Sequence, residues 1–241
     1  MAHLKYNSAA LGALACGVAL QVNAATETFI TPSGSMTGGQ PVDASAMFTT
    51  GSGTVTITLD NLLANPTSVV QNLSDLSFTL SNGATTGTLA SSSGMEIRVN
   101  SGGTFTLGST VPTGWVLSSP ATGGLLLDVL TGPGHAGPAH LIIGPPGPGN
   151  TYSNANGSIA GNGPHNPFLN QMATFTIDVA GVTPTTTITG ATFSFGTTDG
   201  ANLVPGRPTS SVPEPASLGL LGMGLAGLGL ARRRGRKAKK V

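Results

Sequence analysis

The sequence predicts an all-β protein: an antiparallel β-sandwich or jelly-roll-like passenger domain, flanked by an N-terminal signal-peptide helix and a C-terminal transmembrane helix. Three observations predict it. Short apolar runs alternate with hydroxyl residues and are punctuated at close spacing by Gly, Asn and Pro. Residues 25–200 contain no 15-residue stretch with a helical period. The two apolar runs long enough to be helices lie outside that alternating region, one on each side of it.

Composition narrows the class. The 241 residues include 36 Gly and 17 Pro, and only 8% are charged. Low charge with ample apolar content is not the composition of a disordered chain, which combines high net charge with low hydrophobicity. The net charge of +1 conceals an asymmetry. Between Thr26 and Ser211 there are two basic residues, Arg98 and Arg207, against eight acidic ones, a net of −6. Residues 232–241 carry seven Lys and Arg. A mildly acidic domain lacks the cationic surface that neutralises phosphates, so nucleic acid is not an expected partner. Cys16 is the single cysteine and lies in the first apolar run, which excludes an intramolecular disulfide and a cysteine metal site from the domain. Its stability must come from the core, and about 190 residues can bury enough surface for that.

Residues 1–24 read as a secretory signal peptide: Lys5 near the start, an apolar run over 9–20, and Val22-Asn23-Ala24 as a small-residue cleavage site. A lipidated Cys16 is disfavoured, because the preceding apolar run is short and Ala13 stands where Leu is usual. Residues 26–40 are polar and Gly-rich, an edge segment or ordered arm. At 53–59 Val55, Ile57 and Leu59 alternate with Thr54, Thr56 and Thr58, a strand with one buried face. Residues 61–74 hold the Asn65-Pro66 turn and room for a short helical turn. A second strand at 76–80 ends at Asn82-Gly83, a hairpin-type turn. Further strands are expected at 86–90, 96–99, 104–107, 115–117, 125–130 and 141–143. The last two, 173–179 and 187–195, read as a C-terminal hairpin joined through Gly181–Pro184, with Phe175, Ile177 and Val179 facing inward. Phe48, Phe78, Phe105, Phe193 and Phe195 are also expected in the core. Residues 131–167 interrupt the rhythm with dense Gly and Pro; collagen would need Gly strictly every third residue, so a long surface loop is expected. Residues 201–211 read as a spacer.

Residues 212–241 divide into three parts: Val212-Pro213-Glu214-Pro215, an uncharged Leu/Gly/Ala run over 216–231, and the basic tail from Arg232. Sixteen helical residues span about 24 Å, a little short of a hydrocarbon core of about 30 Å. Pro215 and the snorkelling stem of Arg232 extend the reach. The basic cluster Arg232, Arg233 and Arg234 acts as a stop-transfer element that stays cytoplasmic. A buried core helix fits poorly with five glycines and a terminal block of positive charge.

This tripartite pattern resembles the PEP-CTERM sorting signal of Gram-negative bacteria that make exopolysaccharide. The resemblance covers residues 212–241, an eighth of the chain, with Pro213, Glu214 and Pro215 as the sorting motif. It implies export through the Sec translocon and signal peptidase, and membrane retention by residues 216–231. Processing near the Pro-Glu-Pro motif by an exosortase, a membrane cysteine transpeptidase, would then deliver the chain to the envelope surface or extracellular matrix. The basic run, continuing to Lys240, is longer than usual for such a tail.

No catalytic constellation stands out. His135, His140 and His165 fall in the Gly/Pro-rich region at spacings of 5 and 25, which match no ligand motif, and no carboxylate lies within that region. They are expected to be solvated loop residues. The acids stand singly along the chain, so no EF-hand-type calcium loop is present. No Gly-x-Ser-x-Gly elbow occurs. No cofactor or metal is expected. Trp115, after the Pro112-Thr113-Gly114 turn, and Tyr152 are the candidates for stacking on sugar rings if exposed, although a core position is the commoner fate of tryptophan. The expected role is a non-enzymatic structural or adhesive component associated with exopolysaccharide. The alternative is a glycan-binding module that uses those two aromatics.

Overall fold

The computed structural model describes residues 24–120 and 123–209. The signal peptide up to Asn23, the transmembrane run 216–231 and the basic tail therefore lie outside the described residues. What is described is almost entirely β.

The strands in chain order are β1 Thr26–Ile30, β2 Met36–Thr37, β3 Gln40–Pro41, β4 Ala44–Thr50 and β5 Thr54–Asn61. One 3-10 turn, Val69–Gln71, precedes β6 Leu73–Leu80, β7 Thr88–Val99, β8 Phe105–Val111, β9 Val116–Ser118 and β10 Leu125–Asp128. Then come β11 Ile142–Ile143, β12 Phe168–Asp178, β13 Ile188–Phe195, β14 Leu203–Pro205 and β15 Arg207–Pro208. Thirteen strands form one sheet along β14-β13-β6-β11-β12-β5-β4-β1-β15, with β10 and β9 branching from β6 and β7 and β8 from β12. The sheet is mixed, because β11 runs parallel to β12 while its other pairings are antiparallel.

The sheet turns back on itself around one core. Phe48 of β4 meets Phe78 of β6 with ring centroids 5.3 Å apart, and Trp115 meets Phe175 of β12 at 5.3 Å. Alternation drives this packing. Along β5, Val55, Ile57 and Leu59 are fully buried while the alternating Thr54, Thr56 and Thr58 are half-buried. Each large apolar side chain removed from water contributes about 1.5–3 kcal/mol. Two seams join the halves. At one, β11 bridges β6 and β12. At the other, residues 203–208 pair first with β13 and then with β1. Gly206 sits at the crossover, where a Cβ would press on the Phe193 ring at 2.9 Å.

Several expectations are corrected. The supposed spacer from 201 is part of the sheet, through β14 and β15. The expected C-terminal hairpin does not form: β12 lies between β5 and β7, and β13 between β6 and β14, so neither edge of β12 is left for β13. The Asn82-Gly83 turn likewise leads away from β6, because β7 pairs with β12 and β8. The expected strands 86–90 and 96–99 merge into β7, whose central Ser91-Ser92-Ser93 lacks apolar residues but pairs with β12. The Gly/Pro-rich region is not a projecting loop. Leu141, Ile142, Ile143, Tyr152 and Ile159 within it are fully buried. Gly and Pro there select irregular backbone; they do not keep the chain out of the core.

Asn61 ties this region to the sheet. Its side-chain amide donates to the Gln71 and Ile142 carbonyls, both at 2.9 Å, and its Oδ1 accepts the Leu63 N–H at 3.2 Å. Asn61→Ala leaves two buried carbonyls without donors and is expected to lower the unfolding free energy by roughly 2–4 kcal/mol. Denaturant titration checks this against Leu62→Ala at the exposed neighbour, which should change stability by less than about 0.5 kcal/mol.

Candidate functional site

The two aromatic candidates are core residues. Trp115 is 3% exposed, and its indole N–H donates to the His140 carbonyl at 3.0 Å. Tyr152 is fully buried, packs edge-on against Phe105 at 5.7 Å and donates its hydroxyl to the Gly144 carbonyl at 2.9 Å. Burial also holds the Tyr152 hydroxyl well above the usual phenol range. Neither offers a face on which a sugar could stack, so the aromatic-platform expectation is corrected. The Pro112-Thr113-Gly114 segment does not expose it: Thr113 is fully buried, and the indole goes inward where its N–H finds a carbonyl.

The histidines are held individually. His140 places Nδ1 at 2.8 Å from the Thr113 carbonyl and Nε2 at 3.1 Å from Glu96 Oε1, the only ion pair among the described residues. His135 bonds the Val129 carbonyl and His165 the Ser158 carbonyl. The carboxylate that the Gly/Pro region lacks thus reaches His140 from β7, yet the three histidines form no common site among the described residues.

Sequence reading treated Asp75, Asp128 and Asp199 as isolated acids; the sheet brings them together. Asp128 of β10 lies directly across from Asp75 of β6, and Ser194 of β13 lies across from Asp75 on the other side. Directly opposed residues on one face have Cβ atoms about 4.5–5.5 Å apart, close enough for like charges to repel. Asp75 is 3% exposed and Asp128 1% exposed. Asp199 joins them from the β13–β14 connection, and one carboxylate oxygen from each of the three lies within 4.8 Å of the others. The connection is anchored beside the pair: the Gly196 N–H donates to the Asn72 carbonyl at 2.8 Å, and the Ser194 hydroxyl donates to the Ala201 carbonyl at 2.6 Å. Gly200, at φ 65°, supplies the turn that presents Asp199.

The two buried carboxylates are not equivalent. Asp128 accepts the Leu130 N–H at 2.6 Å, the Thr131 N–H at 3.1 Å and the Thr131 hydroxyl. Asp75 accepts only the Ser74 hydroxyl, at 3.1 Å, and its Oδ1 has no partner. Burial, reinforced by the Asp128 carboxylate, pushes Asp75 up to about 8. The only hint available in sequence was an aspartate inside two apolar strands, LSDLSF and LLLDV, where aspartate is disfavoured. Segments far apart in the chain supply the three residues, so spacing could not show them together.

The described residues thus form an all-β domain with a buried acidic cluster, and the sorting residues Pro213, Glu214, Pro215, Arg232, Arg233 and Arg234 lie beyond them. The PEP-CTERM protein-sorting motif matches residues 211–235. The chain carries this sorting motif, and the motif implies an exported, membrane-anchored precursor processed by an exosortase in Gram-negative bacteria. No curated protein and no solved structure matches the chain.

A pH dependence follows from Asp75. With divalent cations chelated, the folded state holds a proton that the unfolded state releases near pH 3.8, so this contribution is fully present below that pH and is lost as pH rises to about 8. Unfolding free energy measured in chelator should therefore decline between pH 5 and 8, and Asp75→Asn should flatten the decline. A wild-type profile that rises over this range would contradict the assignment.

Proposed function

We propose that this protein is a non-enzymatic structural or adhesive component associated with exopolysaccharide, exported through the Sec translocon, freed of its leader by signal peptidase, and delivered by exosortase processing to the envelope surface or extracellular matrix. The sorting motif supports the route. One observation on the domain supports the errand: its outer faces carry hydroxyl groups in register. Thr49 lies across from Thr56, Thr56 from Thr176, and Thr176 from Ser91, a row over β4, β5, β12 and β7. Beside it, Thr58 lies across from Thr174, and Thr174 from Ser93. Hydroxyl groups in such rows can exchange hydrogen bonds with a hydrated polysaccharide without burying charge.

Two outcomes are expected. Coexpressed with an exosortase, the wild-type chain loses its tail, and Glu214→Ala keeps it, as mass spectrometry of the C-terminus will show. In co-sedimentation with native exopolysaccharide, replacing Thr56, Thr58, Thr174 and Thr176 by Val should reduce retention several-fold while the melting temperature changes little, because valine keeps the β-branched shape. Retention unchanged in that variant rules out the hydroxyl face as the contact.

A further inference from the structure

Beyond sorting and matrix association, we propose that Asp75, Asp128 and Asp199 are the carboxylate ligands of a calcium ion bound beneath the β13–β14 connection.

Proximity of acids alone would not carry this. The second observation is an unmatched interior. Asp75 Oδ1 is buried and receives no hydrogen bond, although the residue is only 3% exposed. Its cross-strand neighbour Ser194 could have supplied a donor, but that hydroxyl goes to the Ala201 carbonyl. At the head of β6, Asn72 is fully buried with neither side-chain amide atom bonded, and its carbonyl holds Gly196, where the Asp199 connection begins. Buried polar groups are normally satisfied, so an unpartnered carboxylate oxygen on Asp75 points to a missing partner. No basic side chain fills that place: among the described residues the only ion pair is His140–Glu96, elsewhere in the fold. Two carboxylates side by side on adjacent strands need a cation or a proton between them.

The donor chemistry selects the ion. All three groups are hard oxygen ligands, and the cluster contains no imidazole or thiolate, which disfavours zinc and copper. Two oxygens bound to one calcium at 2.3–2.6 Å can stand up to about 5 Å apart, and the ligand atoms here lie within 4.8 Å of one another. Two ligands come from adjacent paired strands and the third from an exposed turn. Calcium tolerates such irregular, water-completed coordination, whereas magnesium demands a smaller and nearly octahedral one. An exported protein also meets calcium at the concentrations for which extracellular sites are tuned, with dissociation constants of about 10⁻⁴–10⁻³ M.

The test uses the purified full chain, stripped with chelator. Titration with CaCl₂ should show one binding event with a dissociation constant in that range, and the melting temperature should rise with calcium concentration. Magnesium at equal concentration should produce a clearly smaller rise. Asp199→Asn removes an exposed ligand with no part in the core; it should melt like the wild type in chelator yet bind calcium at least tenfold more weakly. Asp75→Asn should lose the response altogether. The assignment is overturned if calcium leaves the wild-type melting temperature unchanged, if Asp199→Asn responds in full, or if magnesium equals calcium. A response surviving in Asp75→Asn would likewise place the ion elsewhere.

Discussion

Strand β6 is held in register from both edges at once, and much of the domain depends on that constraint. On one side Leu76 lies across from Leu127, and on the other from Phe193. A slip of one residue would turn Leu76, Phe78 and Leu80 outward and draw Asp75, Ser77 and Thr79 into the core. The same register that buries the apolar row places Asp75 between Asp128 and Ser194. Core and acidic cluster are therefore two faces of one alignment.

Without a disulfide, the domain achieves closure through pairing. Strand β11 contributes only two residues, yet it joins β6 to β12 where β5 ends. Residues 203–208 perform the matching service between β13 and β1. Both seams depend on chain outside the obvious strands, and both are locked by side-chain or glycine detail: Asn61 at one, Gly206 at the other. The Gly- and Pro-rich region is accordingly structural. Its buried Tyr152 and Ile159 fill space that regular strands leave open.

Charge is divided according to task. The basic residues concentrate in residues 232–241, while the domain is mildly acidic and carries hydroxyl groups in register on its strands.

Local sequence determined what local physics controls. The period of two in residues 53–59 and 173–179 identified strands and their buried faces, and Phe48, Phe78, Phe175, Phe193 and Phe195 were legible as core. The Pro-Glu-Pro, glycine-rich and arginine parts of the tail identified the sorting motif, because adjacent residues read that address. Alternation reports which face a side chain takes; it does not report which strand lies alongside. Partner choice is non-local, so only tertiary structure could separate β12 from β13, convert a supposed spacer into β14 and β15, and turn Trp115 and Tyr152 inward. It also gathered Asp75, Asp128 and Asp199 from three distant segments into one cluster, which no spacing rule encodes.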